Sequence, residues 1–196
     1  TSFELGFNGE KYELILSPEG RRSRLFPLVY FQQQAPESVL AHWNIWVGRQ
    51  PSKDFMLRAG DLEVRAEDVQ VWAEKTEDQR VSLVLCCEKL TPILKEDTDK
   101  VWWVLSMLVD QTIGEVSAIA LIAGFDIYAE PKDEPAKLLS QLPELLQNMG
   151  LPLWRDASDY LENSYFTYEL EPVEDPEADW RLDVYTGSCR LPVMIN

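Results

Sequence analysis

Lys11 to Leu16 alternates loosely between polar and apolar positions and predicts a strand with Tyr12, Leu14 and Leu16 on one face. Ser17-Pro18-Glu19-Gly20 predicts a turn, because Pro presets φ and Gly tolerates positive φ. After the basic cluster Arg21, Arg22 and Arg24, the apolar run Leu25 to Phe31 predicts a second strand and hence an opening hairpin. Pro36 to Trp43 places Pro and Glu in the first turn of a short helix, and Asn44 to Val47 returns to strand character.

Ala59-Gly60-Asp61 is a turn signal, after which Leu62 to Arg65 alternates. Val69, Val71 and Ala73 alternate with Gln70, Trp72 and Glu74, and Val81 to Cys87 is nearly all apolar. Three strands joined by short polar turns predict an antiparallel meander, the last strand buried on both faces. The strongest helix signal follows. Asp97 or Thr98 can cap it, and Val101, Leu105, Leu108 and Thr112 recur at helical spacing. Trp102, Trp103 and Val109 widen that stripe, and Gly114 ends it.

Ile119 to Ala123 is apolar, and Phe125 to Tyr128 predicts a strand beyond Gly124. Pro131 to Pro135 is polar and bracketed by prolines, the best site for an internal boundary. A second helix is predicted from about Pro135 to Asn148, with Leu138, Leu142, Leu145 and Leu146 inward, Pro143 kinking or restarting it, and Gly150 closing it. Phe166, Tyr168 and Leu170 share a face of a strand over 164–170, and Arg181 to Tyr185 predicts its hairpin partner. Between them, Glu169 to Asp179 carries six acids, two prolines and no base, which predicts a solvated loop. The expected class is α+β: a mostly antiparallel sheet covered by two main helices. Residues 1–196 form one domain in this reading, with a hinge between two lobes near 131–135 as the alternative.

Apolar residues make up 45% of the 196 positions, and the chain has seven each of Trp, Tyr and Phe, enough for a core without staples. Charge changes the picture more. Eighteen basic residues face 34 acidic ones, a net of −16. Such a chain repels polyanions, so nucleic acid and anionic membrane surfaces are disfavoured as partners; the acidity reads first as solubility, and in its sharper reading as the mark of a basic protein partner. Cys86, Cys87 and Cys189 are odd in number, and the adjacent pair points to opposite strand faces, so buried free thiols are expected. No stretch of 18 apolar residues occurs, and Thr1 to Glu4 lacks the basic and apolar parts of a signal peptide. The expected compartment is the cytoplasm.

Motif chemistry is sparse. His42 is the one histidine, and no CxxC spacing, GxxxxGK[ST], GxGxxG or GxSxG occurs, so no cofactor is expected. The acidic loop lacks the order of ligands and glycine found in calcium-binding loops. The candidate binding residues are Asp110 and Glu115, one near the end of an apolar helix and one just past its terminating Gly114. They could meet across the turn to bind a cation or a backbone amide. The structural alternative has Glu115 at a fresh helix N-terminus and Asp110 facing water. Trp43, Trp46, Trp102 and Trp103 could line a stacking site, although their spacing favours core packing.

Ala35-Pro36 followed by Trp43, and Leu108-Val109-Asp110 leading into Ile113-Gly114-Glu115, resemble the "AP…W" and "LD…GE" segments of a group of uncharacterised bacterial proteins, a domain of unknown function. Arg181 to Gly187 is similar to a further stretch of that group. The resemblance implies an α+β fold and a bacterial cytoplasmic setting, and it implies no activity. Three readings of function stand together. The first is a non-enzymatic acidic protein that binds a basic partner, as immunity proteins and inhibitors do. The second is an enzyme or small-ligand binder with a carboxylate-lined pocket. The third is a homodimer built on an edge strand such as 164–170.

Overall fold

The computed structural model describes residues 2–59, 62–170 and 182–187, with side chains for 2–58 and 62–164. Ser2–Phe7 (β1) and Tyr12–Ser17 (β2) form an antiparallel hairpin that pairs Ser2 with Ser17 and Phe7 with Tyr12. The partner expected for β2 is instead helical. Arg22–Arg24 make one 3-10 turn that continues into Leu25–Gln33 (α1). Leu25 and Val29, four residues apart, are buried, whereas Phe26, Tyr30 and Phe31 are exposed. Pro27 in the first turn of α1 has a preset helical φ, and it lacks the N–H that a sheet ladder requires.

Glu37–Leu40 (α2) leads into Trp43–Val47 (β3), which runs parallel to β2 with Leu14 opposite Ile45. Gln32 Nε2 donates to the Ile45 carbonyl at 2.6 Å and fastens α1 across β3. Among the described residues, Met56–Ala59 (β4) and Leu62–Arg65 (β5) pair only with each other. The expected meander therefore breaks at the 3-10 turn Ala66–Asp68, which redirects the chain. Gln70–Lys75 (β6) and Val81–Cys86 (β7) are antiparallel neighbours, as their patterns predict. Val81, Leu83 and Leu85 are buried, while the other face of β7 grades from exposed Ser82 to buried Cys86, so burial on both faces holds at one end only.

Beyond Thr91–Leu94 (α3), the helix Thr98–Ile113 (α4) is capped by Asp97, whose side chain accepts from Lys100 N–H at 3.0 Å. Its inward face is Val101, Val104, Leu105, Leu108, Val109 and Ile113. Trp102 and Trp103 are about half exposed, at 51% and 52%, rather than part of that stripe. Trp103 lies roughly 200° round the helix from Val101, outside the arc that faces the core, and Trp102, roughly 100° round, lies at the edge of that arc. Gly114 ends α4 at φ 86° and ψ 142°. An added Cβ there would sit 3.2 Å from the Pro51 ring, and such a backbone geometry is close to glycine-only.

The chain bends 103° at Gly114 into Glu115–Leu121 (α5). The apolar stretch after it divides, part closing α5 and part opening Ile122–Tyr128 (β8), which is parallel to β7. The helix expected from Pro135 starts later. Lys137–Leu138 (β9) pairs with β6, and Leu142–Asn148 (α6) begins with Pro143 in its first turn, where a missing N–H costs nothing. Leu139 is fully buried, whereas Leu138 is 40% exposed. Ala157–Glu162 (α7), capped by Asp156, has no counterpart in the sequence reading. Tyr165–Leu170 (β10) and Leu182–Gly187 (β11) form the expected hairpin. Most of the acidic loop of 169–179 and Cys189 lie outside the described residues.

The fold is α+β, with a four-stranded sheet in the order β8-β7-β6-β9 and a three-stranded sheet β1-β2-β3. Val71, Val81, Leu83 and Leu85 turn inward and join the buried face of α4 in one core cluster. By strand alternation, Gln70, Trp72, Glu74, Ser82, Val84, Asp126 and Tyr128 lie on the opposite, outer face. The stretch Pro131 to Pro135 is fastened over that face. Trp72 Nε1 donates to the Glu134 carbonyl at 3.1 Å, and Lys132 Nζ lies 5.5 Å from the Tyr128 ring centroid. Among the described residues no single helix is long and apolar enough to cross a membrane.

Candidate functional site

Glu115 opens α5, and its side chain is 1% exposed. Both carboxylate oxygens are occupied by groups of the same chain. Oε1 accepts from Ser17 Oγ at 2.7 Å and from Glu19 N–H at 3.0 Å. Oε2 accepts from Arg49 N–H at 3.1 Å and lies 3.3 Å from Arg49 Nη1. The Glu115 N–H donates in turn to the Arg49 carbonyl at 2.9 Å. Four donors around a buried carboxylate satisfy it as completely as water would. Glu115 thus ties the ends of β2 and β3 to the α4–α5 corner. It binds a cation and two amides, and all belong to its own chain.

Close approach at this corner also uses Gly48, where a Cβ would come within 3.1 Å of Val116. Arg49 is shared among three acids. Its Nε donates to Glu4 Oε1 at 2.7 Å, and its Nη1 lies 3.6 Å from Asp110 Oδ2. Asp110 and Glu115 therefore meet across the turn through Arg49. With three carboxylates around one guanidinium, the corner is short of positive charge. Burial, with the Glu115 charge adding to it, pushes the Asp110 carboxyl up to about 7, against the pull of Arg49.

Asp110 does not face open water. Its side chain is 20% exposed and lines a cleft of about 380 Å³ between α4 and the α5–β8 corner. Arg80, Trp102, Ser106, Ile119 and Phe125 also line it. Trp102 stacks on Phe125 with ring centroids 5.5 Å apart and planes 16° from parallel. Arg80 Nη2 donates to the Ile122 carbonyl, its Nε is buried without an acceptor, and it forms no ion pair with any described residue. Exposed Asp78, two residues away, interacts with the Arg80 backbone amide and with its charge, outside ion-pair distance of the guanidinium.

A second feature is the outer face of the four-stranded sheet. A groove of about 390 Å³ there is lined by Glu74, Asp126 and Glu134 around Trp72, with Lys132 at its side. Towards the other end of β6, a groove of about 260 Å³ is lined by Glu67, Asp68 and Glu88, with Lys89 paired to Asp68 at 2.7 Å. Gln70 lies in this second groove, and its Oε1 is buried with no donor. Six carboxylates and two lysines line the two grooves.

The remaining candidates separate. Arg24 pairs with Glu19, and Arg22 Nη2 donates to the Ile119 carbonyl at 3.2 Å. Trp43 packs on Tyr12 at 5.1 Å, and Trp46 Nε1 donates to Glu13 at 3.3 Å, so these two tryptophans do not join Trp102. His42 is exposed between α2 and β3. Cys86 and Cys87 are buried free thiols that burial pushes towards the neutral form. Among the described residues no three of His, Cys, Asp and Glu converge as a metal set. Sequence reasoning missed Arg49, Arg80 and the outer-face acids, whose partners are distant in the chain. No protein-family model, curated protein or solved structure gives a significant match to the chain.

Proposed function

We propose that this chain is a non-enzymatic, cytoplasmic bacterial interaction protein that binds a basic protein partner along the outer face of the β8-β7-β6-β9 sheet. The carrying observation is the pair of acidic grooves on that face, at Glu74, Asp126 and Glu134 and at Glu67, Asp68 and Glu88. Gln70 and Glu74 are four residues apart on β6, which sets the grooves on the order of 13 Å apart. An extended segment with two basic side chains spans that distance. The net charge of −16 steers such a segment inward and repels acidic competitors. The unused acceptor on Gln70 suits a donor-rich side chain. Against a two-carboxylate catalytic pocket stands Glu115, whose oxygens are both taken by its own chain.

The test is affinity capture from the source cells, with the wild-type chain beside Glu74→Lys/Asp126→Lys. The wild type should retain a basic protein that elutes as salt rises, and the double variant should bind it at least about tenfold more weakly. A control reversal at exposed Glu10 and Glu37 should leave capture unchanged. Capture that ignores both salt and the outer-face reversal would exclude this reading.

A further inference from the structure

The Asp110 cleft lies apart from the outer sheet face and calls for a ligand of a different kind. We propose that it binds a small zwitterion with an apolar or aromatic side group, of the chemical class of a free α-amino acid, with the carboxylate on Arg80 and the ammonium on Asp110. Both charges line the same cleft of about 380 Å³, within the range of small-molecule sites. Arg80 is half-buried and meets no carboxylate among the described residues within ion-pair distance. A guanidinium so placed, with one carbonyl acceptor, has donors to spare for a carboxylate.

Asp110 is the complementary pole. It shares Arg49 with Glu115 and Glu4, so a ligand ammonium would supply positive charge where the corner lacks it. Neutral overall, a zwitterion avoids the repulsion that a net charge of −16 imposes on a simple anion. A simple amine would satisfy Asp110 and leave Arg80 unanswered. The third element is the wall. Trp102 and Phe125 are stacked, and Trp102 is 51% exposed although it stands on the largest helix of the core. With Ile119 they offer an apolar surface beside the two charges. Glycine would satisfy the charges and leave that wall unused.

Calorimetric titration of the whole chain with L-phenylalanine and L-leucine tests the proposal, with Trp fluorescence as a second readout. Binding by at least one of them is expected. Phenylpropionate, which lacks the ammonium, phenethylamine, which lacks the carboxylate, and glycine should each bind at least about tenfold more weakly. Arg80→Met and Asp110→Asn should each lose about tenfold or more in affinity while keeping the wild-type circular dichroism. If Arg80→Met does not fold, Asp110→Asn decides, because loss of its charge is expected to stabilise the chain. No heat or fluorescence change with either amino acid up to about 5 mM would overturn the proposal. Equal binding of the half-ligands, or full affinity in a folded Asp110→Asn, would also overturn it.

Discussion

Replacing Glu115 by Ala should destabilise the protein by about 3 kcal/mol or more in urea unfolding, among the largest losses a single change here could cause. The reason is what stays behind. Ser17 Oγ, the Arg49 amide and one arm of the Arg49 guanidinium would lose an acceptor inside the fold, and the Glu19 amide would keep only Ser17 Oγ. Each buried donor left unpaired costs on the order of 1–3 kcal/mol, so the total exceeds the net worth of the bonds. Glu115→Gln keeps the volume but points an NH₂ at groups that are themselves donors, so it should cost roughly 1–3 kcal/mol. Ser17→Ala removes one donor of four and should cost only about 1 kcal/mol. The order Ala, Gln, then Ser17→Ala marks a saturated carboxylate. An Ala variant within about 0.5 kcal/mol of wild type would mean that Glu115 holds nothing together.

Asp110 should behave in the opposite sense. Its folded carboxyl titrates at about 7 against an ordinary value of 3.8. Between those values the unfolded chain has released this proton and the folded chain still holds it, so wild-type stability falls as pH rises. Asp110→Asn removes that dependence. The variant should match wild type near pH 4 and exceed it by roughly 2–4 kcal/mol above pH 7, where the buried charge has formed. Burial sets this first and the Glu115 charge on α5 adds to it, while Arg49 after β3, itself shared with Glu4, pulls the other way. Urea midpoints from pH 4 to pH 8 measure it. An Asn variant less stable than wild type at pH 8 would show that Asp110 is held by its ion pair instead. A residue that lowers stability at neutral pH while lining a cleft fits a site kept for binding.

How far the sequence led depends on how local each determinant is. Helix α4 was readable because its cap at Asp97, its inward spacing and its stop at Gly114 lie within one stretch of chain. Helix α1 was not, since Leu25 to Phe31 is apolar at helical and strand spacing alike, and burial of Leu25 and Val29 alone reveals the period. Trp102 and Trp103 were misplaced for a different reason: spacing fixes their rotation from Val101 but not how wide an arc of the helix the neighbouring elements cover. For the site, Asp110 and Glu115 could be paired because they lie five positions apart with a glycine between them. Their shared partner Arg49 lies 66 residues from Glu115, and Ser17 lies 98 away. The acidic face needed tertiary information too, since Asp126 comes beside Glu74 only through the parallel pairing of β7 with β8.

The central claim places a basic partner on the outer sheet face, and mapping a defined cationic probe by NMR tests it most directly. An oligo-lysine peptide titrated into the ¹⁵N-labelled chain should shift amides around Glu74, Asp126 and Glu134, and then those around Glu67 and Glu88. Amides near other exposed acids, such as Glu10, Glu37 and Asp159, should move little. Shifts spread evenly over every acidic residue, or gathered around Asp110 with the sheet face silent, would contradict it.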